Sequence, residues 1–395
     1  MNILILNTLY TPFKVGGAEV SVQLLAEGLV SAGHQVNILS TVPKSHELAD
    51  STQSINGVAV HYLPLHNLYW PFDEGKQNKL KRLAWHLLDT YNPWMIKAVL
   101  NKVKQLKPDV IHTNNLAGFS TGILSGLSKL DSKLVHTARD YYFLHPNCTL
   151  MRGDTQMPDD ALSIKFWSKI RGHFLKKVDH FIGISQFVVD KYAEYIPAIK
   201  SKAKVVYNPV LTPKGNVERP LGYINPNSVT FGFIGRLSPE KGFEDFVKLA
   251  AIAEKENWPA HFVAAGKGDQ DYIKSLLNKY PCSKLQLLGF VASDQFYQSI
   301  DVLVSPIKWP EPFGRTLVES FLNNIPFIGY SGGGASELHS ILQRDTGQCQ
   351  TFTDLKSKVY KLVVRAYKPK LNLVNEMFMS DTHVENVISC YLLDV

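Results

Sequence analysis

Short apolar runs alternate along this chain with longer stretches in which apolar positions return every three or four residues. The first pattern is that of buried strands and the second that of helices lying on a sheet. Strand candidates in the first half are 2–7, 35–41, 58–63, 109–112, 133–138 and 179–184. In the second half they are 229–235, 260–265, 285–288, 301–305 and 326–330. Strand–helix alternation repeated in this way predicts an α/β protein made of two doubly wound, Rossmann-like domains. The stretch 207–228 is rich in Pro, Gly and Asn and reads as the linker between them. The expected domains are 1–207 and 208–379. In the tail, Val384, Ile388, Tyr391 and Leu392 recur at helical spacing.

The length, 395 residues, suits two domains of about 150–200 residues, each large enough for a full core. No window has the ~18 consecutive apolar residues of a spanning helix. The N-terminal run from Met1 to Asn7 lacks a basic flank and a small-residue cleavage site, and reads as a buried strand rather than a signal peptide. Cys148, Cys282, Cys349 and Cys390 are far apart and show no metal-binding spacing, so they are expected to be reduced packing residues. Together these features predict a cytoplasmic protein. The formal net charge of +7 could serve nucleic acid, a membrane or an anionic substrate. No nucleic-acid-binding motif accompanies it, so the expected partners are a diphosphate and an anionic membrane surface.

Candidate chemistry concentrates in Pro310–Leu322. Two prolines stiffen a loop around Glu311. Gly314 then opens a helical pattern with Leu317, Phe321 and Leu322 on its apolar face, and Glu319 lies inside that helix. Spare N–H groups and the dipole at a helix start bind phosphate, and separated carboxylates bind hydroxyls. That combination suits a sugar nucleotide. A second segment, Phe231–Gly242, reads as a strand, a turn bearing Arg236 and Lys241, and a helix start. Arg236 offers a planar fork and Lys241 a point charge for a pyrophosphate. The glycine pair Gly16-Gly17 follows the opening strand. Because ligands bind at the carboxyl ends of parallel strands, these residues are expected to line one crevice between the domains.

These three segments resemble, in order and spacing, motifs of the retaining GT-B glycosyltransferases of family 4: the N-terminal G-G loop (Gly16-Gly17), the G-R-L-x-x-x-K-G segment (Gly235–Gly242) and E-x7-E (Glu311 and Glu319). The resemblance covers nearly the whole chain. It implies a GT-B fold with an acceptor-binding N-terminal domain, a donor-binding C-terminal domain, and a last helix (380–395) that crosses back to the first domain. It implies that Glu319 binds the ribose hydroxyls and Glu311 the transferred sugar. Gly16, Gly17, Arg236, Lys241, Phe313, Gly314 and Arg315 would contact the rest of the donor, most simply a UDP-sugar. Retention without an enzyme nucleophile is the family's usual chemistry.

No D-x-D metal motif is present. Asp269 and Asp271 follow Gly266-Lys267-Gly268, where capping a helix is the expected role. Neutralising the diphosphate then falls to Arg236, Lys241 and the helix start at Gly314-Arg315, so neither a metal nor any other cofactor is expected. One departure concerns catalysis. Where many relatives have a histidine after the fifth strand, this chain has Arg139, followed by Asp140. Arginine cannot act as a base near neutral pH but can hold a phosphate or a sugar hydroxyl. Asp140 could orient the acceptor, pair with Arg139 or accept a proton. His145 is a weaker substitute. Glu337, after the glycines at 332–334, could bind ligand or simply sit at its own helix start.

Two segments of the first half, 76–88 and 164–177, combine basic residues with apolar stripes containing Trp or Phe. Such helices either lie on anionic membranes or pack their stripe into the core. The expected function is sugar transfer from a nucleotide donor to a glycan or lipid-linked acceptor of a surface polysaccharide. A non-catalytic sugar-nucleotide- or glycan-binding homologue and another GT-B enzyme, such as an epimerase, are the alternatives.

Overall fold

The apolar runs become two parallel sheets because each is covered on both faces by the helices that follow its strands. In the computed structural model the described residues are 1–13, 16–73, 77–153, 155–211, 220–225, 227–343, 347–365, 370–372 and 376–393. Part of the expected linker, at 212–219 and 226, lies outside them. The chain divides into two units: Met1–Thr149, Pro158–Pro209 and Ser380–Val395 form the first, and Leu150–Met157 with Val210–Met379 the second. The expectation placed 150–157 in the first half; those residues instead group with the second unit.

The first unit runs β1 (Asn2–Leu6), α1 (Gly17–Ser31), β2 (Gln35–Val42), β3 (Thr52–Ile55), β4 (Val58–Pro64), α2 (Lys79–Thr90), α3 (Pro93–Leu106), β5 (Val110–Thr113), α4 (Ile123–Leu127) and β6 (Lys133–Ala138). A short antiparallel hairpin, β7 (Met151–Arg152) and β8 (Thr155–Gln156), interrupts it and belongs to the second unit. The first unit resumes with α5 (Leu162–Leu175), β9 (His180–Gly183), α6 (Gln186–Tyr195) and β10 (Ala203–Val205). Its eight strands lie in the order β10-β9-β6-β5-β1-β2-β4-β3. All pair in parallel except β3, which is antiparallel to β4. That edge strand was not expected, although Asn56-Gly57 between the two strands is a strong hairpin signal. Both residues have positive φ, 51° and 81°, as such a turn requires.

The second unit contains β11 (Val229–Ile234), α7 (Phe243–Lys255), β12 (Ala260–Ala265), α8 (Gln270–Lys279), β13 (Leu285–Gly289), α9 (Ser293–Gln298), β14 (Val302–Ser305), α10 (Arg315–Leu322), β15 (Phe327–Tyr330), α11 (Gly334–Leu342), β16 (Gln348–Cys349) and α12 (Phe352–Val363). Its sheet order is β13-β12-β11-β14-β15-β16, and every pairing is parallel. The order reverses beside β11, so the turns after β11 and β14 open onto a topological switch point.

The final helix, α13 (Ser380–Leu392), rejoins the first unit. Gly28 of α1 makes room for it: a Cβ there would stand 2.5 Å from Cγ2 of Val384. The Tyr391 hydroxyl meets Nδ1 of the buried His112 at 2.7 Å. Cys349 and Cys390 are buried and all four cysteines are free thiols, in keeping with packing roles. No described helix is long and apolar enough to cross a membrane.

Candidate donor and transfer site

In the second unit the turn after β11 is held close to its neighbour. Gly235 donates to the Ala265 carbonyl at 3.0 Å, and a Cβ on Gly266 would fall 1.8 Å from the Gly235 carbonyl oxygen. Only glycine fits there. A 3₁₀ turn, Pro239–Lys241, leads to Gly242, whose φ of 74° starts α7. A Cβ at Gly242 would lie 1.7 Å from the Pro306 carbonyl oxygen, so this turn is pressed against the strand-end loop of β14. Backbone bonds tie the two together: Lys308 N donates to the Glu240 carbonyl at 3.0 Å.

That contact brings Lys241 to Glu311. The ammonium lies 2.5 Å from Glu311 Oε2 and 5.0 Å from the centre of the Trp309 ring. The Glu311 loop is held from the other side by the glycine turn after β15, where Gly334 N donates to the Glu311 carbonyl at 2.7 Å. Gly333, at φ 63°, is close enough that a Cβ would stand 2.4 Å from the same oxygen. Gly314, at φ 94°, then starts α10. On its first turns Arg315 Nε donates to Glu319 Oε1 at 2.8 Å, while the buried Tyr297 hydroxyl donates to Glu319 Oε2 at 3.1 Å. Each carboxylate oxygen keeps a further lone pair for a ligand hydroxyl.

Arg236 is different. Its side chain is 63% exposed and only 3.7 Å from Glu240, a loose contact in solvent that leaves it available to a diphosphate. Phe313 is buried beside Phe378, with ring centres 6.2 Å apart, so its ring is part of the packing. Asp269 caps α8 by accepting from Tyr272 N at 2.9 Å, and Asp271 lies in that helix's first turn. Glu337 lies in the first turn of α11. Trp309, Lys308 and Tyr297 were missed in the sequence. The tryptophan stood next to the proline loop, but nothing local marked it as a wall for Lys241.

In the first unit Arg139 and Asp140 follow β6. The Arg139 guanidinium is nearly buried, 9% exposed. It donates through Nε to Asn114 Oδ1 at 2.9 Å and through Nη1 to Asn208 Oδ1. Nη2 and the Asn114 Nδ2 amide, both buried, have no partner. Arg139 and Asn114 line a cavity of about 20 Å³ with Ala18 of α1, Asp140 and Tyr142. Burial lowers the Arg139 pKa only to about 10, so the guanidinium stays charged at neutral pH. Asp140 does not pair with it in the manner of an ion pair. It accepts from Tyr142 N at 2.8 Å, and burial pushes its pKa up to about 6. His145 caps a local turn, accepting from Asn147 N at 3.2 Å. Gly16 starts α1 and donates to Glu19 Oε2 at 2.8 Å, and Gly17 is the helix's first residue. Asn114 and Asn208, which set the guanidinium, were not expected: each stands far from Arg139 in sequence.

Two family models match in tandem, Glycosyltransferase Family 4 over residues 15–212 and Glycosyl transferases group 1 over residues 219–347. An uncharacterized 42.6 kDa protein in the cps region of Klebsiella pneumoniae is 40% identical over 342 residues, covering 87% of this chain and 88% of that protein. The alpha-monoglucosyldiacylglycerol synthase of Acholeplasma laidlawii is 25% identical over 349 residues, 83% of this chain and 80% of its own. The crystal structure of Anabaena Alr3699/HepE in complex with UDP and glucose superposes with a TM-score of 0.61 at 18% identity, over 98% of both chains. Tandem family models that fall on the two parallel-sheet units, with the strand-end turns built as above, place this chain among the family 4 glycosyltransferases of GT-B fold.

Proposed function

We propose that this glycosyltransferase moves a sugar from a UDP-sugar to a glycan or lipid-linked acceptor in surface-polysaccharide synthesis. In this reading it retains anomeric configuration, needs no metal and works at the inner face of the membrane. The observation that carries the donor half is the Lys241–Glu311 pair, a cation and a carboxylate held together on two strand-end loops. An incoming diphosphate competes for the ammonium, and Glu311 is then free to accept hydrogen bonds from the transferred sugar. Arg236 and the N-terminus of α10 supply the remaining positive field, whose attraction for the leaving diphosphate grows as that group gains charge. Glu319 holds the ribose.

In the first unit Arg139 serves as a fixed donor: Asn114 and Asn208 orient it, and Nη2 remains for an oxygen of the substrate. It moves no proton. The acceptor proton goes to a donor phosphate oxygen on the same face of the sugar. The protein in the cps region and the complex containing UDP and glucose support surface polysaccharide and uridine, respectively.

The test is a panel of nucleotide sugars assayed for binding by thermal shift, then for turnover in chelator with the product's anomeric configuration read by NMR. Retained configuration and full activity in chelator are the expected results. Inversion, or activity restored only by a divalent ion, would overturn the corresponding part.

A further inference from the structure

Residues 79–88 of the basic segment 76–88 lie in α2, with Asn78 as its cap; Lys76 lies outside the described residues. Its leucines do not all enter the core. Leu80, Leu83 and Leu87 are 80, 49 and 51% exposed. Their i, i+3, i+7 spacing puts them on one outward face. The opposite face anchors the helix: Trp85 is buried and donates to the Tyr69 carbonyl at 3.0 Å. Asp89 accepts from Gly118 N at 2.7 Å and from the Tyr142 hydroxyl at 2.5 Å. The outward leucines are therefore held in place by packing on the far side of the helix. Immediately after α2, Tyr91 and Trp94 are 58 and 63% exposed, and Asn92 fixes the corner by capping α3.

The exposed charge carried by α2 and α3 has one sign. Lys79, Lys81 and Arg82 on α2 and Lys97 on α3 are exposed. From residue 78 to residue 107 the chain has a single acidic residue, Asp89, which is buried. The neighbouring α5 repeats the pattern, with Leu162 and Phe166 exposed beside Lys165 and Lys169, although Ile164, Trp167 and Leu175 of the same segment enter the core. Arg171 of α5 reaches the Thr90 hydroxyl of α2 at 3.4 Å, so the two helices are neighbours.

We infer that the outward face of α2 and the start of α3 are the surface by which this chain docks on an anionic lipid bilayer. This specifies the membrane contact within the proposed function. Leucines enter the boundary of the acyl chains, Tyr91 and Trp94 sit at headgroup level, and the flanking lysines reach phosphates. A second copy of the chain is a poor occupant, because a symmetric contact would set lysine and arginine against lysine and arginine.

The experiment is co-sedimentation of the full chain with vesicles of phosphatidylcholine alone or of phosphatidylcholine with phosphatidylglycerol. Sedimentation velocity without lipid and UDP binding by calorimetry accompany it. Binding is expected only to the anionic vesicles and is expected to weaken with salt. Each neutralised charge is worth about fivefold, so the triple variant Lys79→Gln, Lys81→Gln, Arg82→Gln loses on the order of a hundredfold. The pair Leu83→Ser, Leu87→Ser loses a comparable factor, about a hundredfold. All these side chains are exposed, so both variants keep the native melting point and UDP affinity. Loss of vesicle binding with UDP binding intact separates this inference from the donor assignment. No vesicle binding by the native chain, equal binding to neutral vesicles, or native-like binding by either variant would refute it. A native dimer that the serine pair turns into a monomer would also do so.

Discussion

The Lys241 ammonium and the Glu311 carboxylate lie 2.5 Å apart although 70 residues separate them in the chain. The pair exists because the glycine turn before α7 presses on the loop after β14, and its two members have different tasks. Glu311→Gln keeps the shape and removes the charge. It should leave Lys241 freer for a diphosphate, so UDP affinity holds or rises while transfer falls on the order of 10²-fold or more. Lys241→Ala should do the reverse to binding. Calorimetry with UDP beside a transfer assay distinguishes them, and equal losses of UDP affinity in both variants would contradict the division.

Glu319 accepts from Arg315 and Tyr297 with its two oxygens and is assigned the ribose. Glu319→Ala should weaken UDP binding by about 10–100-fold, the value of hydrogen bonds to a charged group. The specific sign is lost discrimination. Native protein should prefer UDP over 2′-deoxy-UDP, and the alanine variant should bind the two alike. If the preference survives, the ribose is held elsewhere.

Asp140 should titrate near pH 6, because its burial disfavours the ionised form. Transfer that uses the carboxylate should therefore fall as pH drops through about 6. Asp140→Asn should be slow at every pH and show no such limb. Arg139, whose pKa stays near 10, contributes no limb in this range. A pH–rate profile of the variant that keeps the native acidic limb would move the titration to another group.

His339 is fully buried on α11 against Phe327, its ring centre 4.9 Å away, and neither ring nitrogen has a partner. Burial lowers its pKa to about 3. The folded state thus refuses a proton that the unfolded chain takes up below about 6.5, and stability drains as pH falls from there. His136 and His383, at about 3, and His61 and His86, at about 4, act in the same direction. Asp89 and Asp140, both raised to about 6, oppose them between roughly pH 4 and 6. His339→Phe should stabilise the fold by about 1–3 kcal/mol at neutral pH and make the loss of Tm below pH 6.5 shallower. A lower Tm with an unchanged pH slope would show that the imidazole is satisfied after all.

Strand positions, the two-sheet architecture and the chemical character of the 231–242 and 310–322 segments were legible in the sequence. All depend on local order: period in the apolar pattern, glycine where φ is positive, acids and cations at strand ends. The β3 edge was written in Asn56-Gly57 and overlooked, whereas β10 and β16 are so short that their pairing partners define them. Which side chains meet was a matter for the tertiary structure. Lys241 could have paired with Glu240 next to it; the packing of Gly242 on Pro306 gives it Glu311. Arg139 could have paired with Asp140; the strand ends that bring Asn114 and Asn208 together give it two neutral amides. Leu80, Leu83 and Leu87 looked equally fit for a core or a membrane, and only the burial of Trp85 and Asp89 on the other side of the helix turned them outward. A pattern repeats along one chain and can be read from it. A contact between distant loops depends on how sheets and helices close over one another, which no single segment encodes.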